Sequence, residues 1–455
     1  MGGVALALLL LLGGAGARAQ EPNIIVILAD DLGYGDLGCY GTDRIRTPRL
    51  DAMAAAGARL TDFYAFPTCS PSRAALLTGG YPPRVGIPQV VSPPGPAWTR
   101  DRQYGLHPEV VTLPELLRSA GYATGMVGKW HLGHFPQTMP DRHGFDYYYG
   151  LPYSNDMLPA GGYPDLPLLR NRDTLGLNPD QRTLTADYTR EALDFITRHR
   201  DHRFFLYLAH SMPHVPLHAP PPTGPGDART PYARVVEELD AATGQLLDHL
   251  DALDLAANTL VIFTSDNGPW LTYGDHAGAA GPLREGKGTV WEGGTRVPAI
   301  AHQPGRIPAG RTLSDACSLL DLLPTLTEAA GSPTAPGDGR SLWGWLTGGV
   351  DSLPTRTFAH YAGGRLRAVR RGNWKLVLPH DYPVAEPPGR GGLPGPYGTR
   401  ATPAALYDLS RDPGERTNRA AAHPGLVARL RAEAAALAGE VERNKRPPFR
   451  PGSGD

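Results

Sequence analysis

Thr68-Cys69-Ser70-Pro71-Ser72-Arg73-Ala74-Ala75-Leu76-Leu77-Thr78-Gly79 reads as the entrance, body and exit of a short helix. Ser70 suits a cap, Pro71 the first helical position and Gly79 the exit. Residues 74–77 are good helix formers. Cys69 then stands just before free backbone N–H groups, at the positive end of the helix dipole. Such a place lowers a thiol pKa and favours an anion. Arg73 adds a planar cation suited to a tetrahedral oxyanion. On composition alone, the same letters also describe an ordinary capped helix beside a buried cysteine.

Outward from this stretch, several apolar segments end in groups that carry chemistry. Residues 23–29, Asn-Ile-Ile-Val-Ile-Leu-Ala, have the pattern of a buried strand and lead into Asp30-Asp31. Residues 258–264 form a second such strand and lead into Ser265-Asp266-Asn267-Gly268. Ends of parallel strands are where open α/β sheets place their sites. Adjacent carboxylates repel unless a cation lies between them. Asp30, Asp31, Asp266 and Asn267 would make an all-oxygen site for a hard cation, Ca²⁺ or Mg²⁺. Cysteine-rich or multi-histidine zinc spacing is absent from the sequence.

Residues 122–127 read as a strand ending in Gly128-Lys129-Trp130-His131-Leu132-Gly133. Lys129 and His131 lie two apart, so an extended chain would put both on one face. Residues 204–209 read as a strand ending in His210-Ser211-Met212-Pro213-His214-Val215-Pro216. Strands are also expected near residues 60–66, 357–361, 366–370, 374–378 and 405–409. Helices are expected over residues 47–57, 112–120, 185–199, 232–253, 318–330 and 425–443. Residues 84–108, 141–187 and 382–402 are rich in proline or glycine and read as loops.

The bulk numbers suit a soluble globular chain. It has 455 residues, 41% hydrophobic and 20% charged. The 44 basic and 45 acidic side chains give a net charge of -1, which argues against a general nucleic-acid-binding surface. Three cysteines, Cys39, Cys69 and Cys317, give no disulfide framework. Residues 4–12 form a short apolar run followed by Ala17-Arg18-Ala19, the pattern of a secretory signal peptide cleaved near residue 20. No later stretch is apolar and long enough to span a bilayer, so no membrane association is expected after cleavage.

Cys69-Ser70-Pro71-Ser72-Arg73 with Leu77-Thr78-Gly79 resembles the signature of type I sulfatases. The likeness continues in Gly128-Lys129-Trp130-His131-Leu132-Gly133 and in residues 282–298, which contain Lys287. It is nearest to arylsulfatases of the arylsulfatase A type. The resemblance implies an alkaline phosphatase-like α/β fold, with a large mixed sheet sandwiched by helices and a small C-terminal antiparallel-sheet domain. The expected layout is a signal peptide at 1–20, a catalytic domain at 21–350, an α+β subdomain at 351–446 and a disordered tail at 447–455.

The resemblance further implies that Cys69 is oxidised to Cα-formylglycine by a formylglycine-generating enzyme. It implies catalytic roles for Cys69, Arg73, Lys129, His131, His214 and Lys287, and a substrate contact at Ser154. Residue 69 joins Asp30, Asp31, Asp266 and Asn267 around the cation. The family pattern selects His214 over His210 and His218. The implied reaction is hydrolysis of aryl or carbohydrate sulfate monoesters in a secreted or periplasmic enzyme. A phosphate or phosphonate ester hydrolase of the same superfamily is the alternative, and a binding protein with a dead site is a second one.

Overall fold

Every residue of Asn23–Ala29 (β1) is buried, so the strand must be covered on both faces. Alternation sends Ile24, Val26 and Leu28 to one face and Ile25, Ile27 and Ala29 to the other, each into its own apolar cluster. The computed structural model, which describes residues 21–222, 224 and 229–452, shows how this is met. The signal-peptide reading of residues 1–20 lies outside the described residues.

The large sheet is built from β1, β2 (Ala58–Tyr64), β3 (Ala123–Gly128), β4 (Tyr147–Gly150), β5 (Pro167–Arg170), β6 (Asp173–Leu177), β7 (Phe204–Ala209), β8 (Thr259–Ser265), β9 (Arg296–His302), β10 (Arg311–Leu313) and β11 (Cys317–Ser318). Its order is β10-β2-β9-β8-β1-β7-β3-β4-β5-β6, with β11 also on β2. The run β8-β1-β7-β3-β4 is parallel, while β9 enters antiparallel on one side and β5 on the other. Ala29 pairs with Ser265, Leu28 with Ala209, and Gly128 with Ala209. Four adjacent strands therefore deliver their carboxyl ends to one edge.

Helices cover both faces. On one lie α1 (Pro48–Ala55), α4 (Leu184–Arg198) and α5 (Pro231–Ala252). On the other lie α2 (Cys69–Thr78), α3 (Leu113–Ser119), α7 (Leu322–Ala329) and α8 (Trp343–Leu346). A single turn, α6 (Glu292–Thr295), precedes β9. The C-terminal sheet runs β12 (Thr357–Ala362), β13 (Arg365–Arg371), β14 (Trp374–Val377), β17 (Ala405–Asp408), all antiparallel. Leu430 and Ala434 of α9 (Pro424–Arg443) pack on it against Val369, Leu376 and Leu406.

Two loop readings are corrected. Residues 382–402 contain a hairpin, β15 (His380–Ala385) with β16 (Tyr397–Thr402). Residues 141–187 contain β4 and the β5–β6 hairpin. These strands are short, carry proline or glycine, and are mostly exposed outside β4, so they lack an apolar alternation to reveal them. Within the C-terminal segment, Phe449 and Gly105 exchange backbone hydrogen bonds of 3.0 and 3.1 Å.

One glycine is dictated by the sheet. Gly128 has φ 110°, and a Cβ there would lie 1.8 Å from the Ala209 carbonyl oxygen. Gly128→Ala is expected to lower stability by at least ~1–3 kcal/mol, the cost of the strained backbone alone. Chemical unfolding measures it, and a variant as stable as the parent would contradict this close approach.

Candidate active site

The helix at residue 69 starts two residues earlier than its letters suggest. Thr68 is the N-cap and Cys69 the first helical residue, while Gly79 closes the helix at φ 63° as expected. Ser70 makes no cap: its hydroxyl accepts from Val91 N at 3.0 Å. Ser72 bonds to both backbone groups of Phe66, at 2.9 and 3.1 Å. The two serines thus fasten the helix start to its flanking loops.

The lowered thiol pKa expected at this helix entrance is not found. Burial pushes the Cys69 thiol up to about 11, against the opposing pull of Lys129 and Lys287. A helix N-terminus depresses a thiol only where water or cations solvate the thiolate.

Arg73 is completely buried and points across the sheet edge. Its guanidinium donates to Asp266 Oδ2 through Nε at 3.1 Å and a terminal nitrogen at 2.8 Å, and to the Lys129 carbonyl at 2.6 Å. It also stands 3.4 Å from Asp30 Oδ2. One side chain thus ties α2 to the ends of β1, β3 and β8.

Lys129 leaves β3 with its ammonium 2.5 Å from Asp30 Oδ2 and 3.1 Å from the Ser154 hydroxyl. Lys287 donates to Asp31 at 2.8 Å, and its Nζ lies 4.1 Å from the centre of the Trp270 ring. Asn267 donates to Asp31 Oδ1 at 2.7 Å, and Asp31 N donates to Asp266 Oδ1 at 3.1 Å. Asp31 takes φ 68°, a turn that aims its carboxylate back over the strand ends.

His214 Nε2 is 3.7 Å from Asp31 Oδ2, and its Nδ1 donates to the Val215 carbonyl at 2.5 Å. His131 donates from Nε2 to the Val91 carbonyl at 2.9 Å, which leaves Nδ1 buried, unprotonated and without a partner. Lys129 and His131 do converge on the site, though not through strand alternation. Gly128 at φ 110° and His131 at φ 61° break the extended path between them.

Burial alone would raise the Asp30 carboxyl, but Lys129, His214, Arg73 and Lys287 outweigh it and hold it well below the usual range. Asp266 is pushed up to about 7 by burial and by the neighbouring Asp30 charge. Burial first, and then Lys287, lowers His214 to about 4. Burial with Lys129 and Arg73 keeps His131 neutral. Burial would lower Lys287, but Asp31 overrides it and holds the ammonium charged.

Two oxygens at the strand ends are buried without a partner, Asp30 Oδ1 and Asn267 Oδ1. Asp30, Asp31 and His214 also bring ligand atoms within 4.8 Å of one another. Orphaned carboxylate and amide oxygens beside a second carboxylate fit a hard cation. Both oxygens of Asp266 already accept from Arg73 and Asp31 N, and both of Asp31 from Asn267 and Lys287.

The site opens into a cleft of about 1060 Å³ whose walls include Cys69, His131, Ser154, His214 and Lys287. All eleven residues singled out in the sequence thus belong to one constellation. Trp270, seated against both His214 and Lys287, was not among them; a lone tryptophan after Asn-Gly-Pro carries no spacing signal.

The sulfatase family profile matches residues 22–332, and a profile for the C-terminal region of aryl-sulfatase matches residues 353–446. The chain belongs to the sulfatase family. Arylsulfatase A of Homo sapiens is 40% identical over 446 residues, covering 90% of this chain and 86% of that protein. N-acetylgalactosamine-6-sulfatase of Homo sapiens is 41% identical over 441 residues, covering 89% and 82%.

Among solved structures, the PsFucS1 sulfatase from Pseudoalteromonas sp. superposes with a TM-score of 0.81 at 28% identity, covering 94% of this chain and 92% of that one. Ps i-CgsB in complex with a neocarrahexaose gives 0.76 at 31%, covering 92% and 93%. Phosphonate monoester hydrolase of Agrobacterium radiobacter, at 0.60 and 19%, shares the fold. This sulfatase therefore has the alkaline phosphatase-like fold and is a sulfuric ester hydrolase.

Proposed function

We propose that this sulfatase hydrolyses aryl or carbohydrate sulfate monoesters through a formylglycine hydrate at position 69, beside a divalent cation. The observation that carries the reading is the convergence of three cations near residue 69, Lys287 lining the cleft and Arg73 and Lys129 buried beneath it. Sulfate monoesters resist attack because negative charge repels the nucleophile and builds on the leaving oxygen. Preorganised cations offset both effects.

The cation would be held by Asp30, Asp31, Asp266 and Asn267, with residue 69 facing it. A dication there supplies Lewis-acid charge against the sulfate oxygens. Ca²⁺ is the preferred candidate, and Mg²⁺ fits the same donor chemistry. As a hydrated aldehyde, residue 69 supplies one hydroxyl for attack on sulfur and a second for release. Asp266 accepts the proton of the first. His131 accepts the proton of the second through its unpartnered Nδ1.

Lys287 and His214 assist the departing alcohol. His214 is neutral in the free protein, so Lys287 is the group that stands ready protonated. Ser154 shares the Lys129 ammonium and helps hold the sulfate end. A formylglycine-generating enzyme acts on the Cys-x-Pro-x-Arg segment before folding buries it. With the signal-like residues 4–19, this favours a secreted or periplasmic protein. Among the described residues, no helix is long and apolar enough to cross a membrane.

Turnover of p-nitrophenyl sulfate and p-nitrophenyl phosphate by aldehyde-bearing protein tests the reaction. Preference for the sulfate is expected, and preference for the phosphate would favour the phosphate or phosphonate ester hydrolase. For the cation, Asp30→Ala is expected to lose both bound metal and turnover. Full metal content by atomic emission in that variant would refute the assignment.

A further inference from the structure

The cleft above the sulfate-binding floor has a composition of its own. Trp270 lies against His214, ring centroids 5.3 Å apart, and against Lys287. These two groups face the leaving oxygen in the proposed reaction, so Trp270 is an early wall that the departing alcohol meets. Tyr273 packs edge-on to Trp270 at 4.9 Å. The β15–β16 hairpin continues this wall and brings Tyr397, whose hydroxyl meets the Trp270 and Thr272 side chains and which is 59% exposed at the mouth.

The hairpin is fixed rather than swinging. Gly389 and Gly395 both donate to the Thr272 carbonyl at 2.9 Å, and Gly391 N donates to Asp275 at 2.9 Å. Gly274 permits this closeness, since a Cβ there would sit 2.0 Å from the Gly389 carbonyl oxygen.

On the walls of this upper cleft carboxylates outnumber the cations that face them. Asp156, Glu285 and Glu386 line it, against Arg102. Arg400 is shared by Glu386 at 2.5 Å and Glu285 at 3.7 Å. Arg102 stacks at the far rim, 5.1 Å from the Trp98 ring centre. Asp156 forms no ion pair among the described residues, and its Oδ1 is buried without a hydrogen-bond partner. Three carboxylates thus face two guanidinium groups. A second sulfate on the substrate would enter a wall already in excess of negative charge.

We infer that the preferred substrate carries a single sulfate on an uncharged ring, an aryl group or a neutral sugar, packed against the wall formed by Trp270 and the β15–β16 hairpin, and that polysulfated chains are disfavoured. The inference rests on the sulfate-ester reading and sharpens it. Aromatic walls hold sugar and aryl rings by apolar area and ring-face contact, without needing charge.

The test compares three substrates of aldehyde-bearing protein at low ionic strength: p-nitrophenyl sulfate, a p-nitrophenyl glycoside of a neutral hexose with one sulfate ester, and the same glycoside with a second sulfate. Released sulfate is the readout. The singly sulfated glycoside is expected to exceed the disulfated one in kcat/KM by about tenfold or more, with the gap narrowing as salt screens the wall. The paired change Asp156→Asn with Glu386→Gln should narrow it too. Tyr397→Ala should raise KM for the glycosides several-fold, roughly the effect of losing one aromatic contact. Equal or better use of the disulfated glycoside, with p-nitrophenyl sulfate turned over, overturns this inference alone. Failure of every sulfate ester overturns the reaction assignment and this inference with it.

Discussion

Cys69→Ala is expected to cut sulfate-ester turnover by roughly a thousandfold or more, the scale seen when a nucleophile is deleted from a preorganised site. The fold should survive. Residue 69 is small, and the helix it begins is held by Ser70, Ser72 and the Arg73 contacts rather than by the thiol. Cys69→Ser should fall nearly as far in a host whose modifying enzyme oxidises only cysteine. A serine offers one oxygen, so a sulfuryl group accepted there has no second hydroxyl to release it. Protein made without the modifying enzyme should be folded and weakly active, because a thiol held near pKa 11 is a poor nucleophile at neutral pH. Mass spectrometry of the peptide containing residue 69 provides the paired measurement. Full activity from a wholly unmodified thiol would remove the formylglycine mechanism.

Much of this site was legible because several of its functional groups stand at or just beyond the end of an apolar strand. Asp30-Asp31 after β1, Lys129 after β3, His214 after β7 and Asp266-Asn267 after β8 each mark where a buried strand runs out. The parallel run β8-β1-β7-β3 then gathers those ends on one edge. Cys69 was legible through its spelling, but its protonation behaviour was not. The local rule for helix entrances omits burial, and burial dominates here.

Other features had no local signal at all. The walls of the cleft come from β15–β16 and from Trp270, in proline- and glycine-rich segments whose partners lie more than a hundred residues away. The buried charges joining the two sheets were equally hidden. Glu292 sits in a signature-like segment and Lys375 in an exposed-looking strand, and only the fold shows that they meet.

That meeting supports the second large effect. Lys375, fully buried in β14, hydrogen-bonds Glu292 Oε1 at 2.9 Å and lies 2.9 Å from Glu415 Oε1. Glu415 Oε2 accepts from Glu292 N at 2.7 Å, and Glu292 Oε2 accepts from the Tyr64 hydroxyl at 2.6 Å. Arg296 and Arg370 close the network on Asp62, each at 2.7 Å. The segment ending at Glu292 carries Lys287, and it is fastened further by Arg284, whose guanidinium lies 3.6 Å from the Trp291 ring centre and 3.1 Å from the Tyr382 hydroxyl. The C-terminal sheet therefore braces the loop that presents the Lys287 ammonium to the cleft. Lys375→Met leaves two buried carboxylates facing each other and is expected to lower stability by about 3–5 kcal/mol. It should also lower kcat, because Lys287 loses its fixed seat. Adding Glu415→Gln removes one of the stranded charges, so the double variant should recover part of the stability. Chemical unfolding and steady-state kinetics on both variants decide it. Lys375→Met with parental stability and parental kcat would show that the C-terminal sheet merely adjoins the catalytic loop.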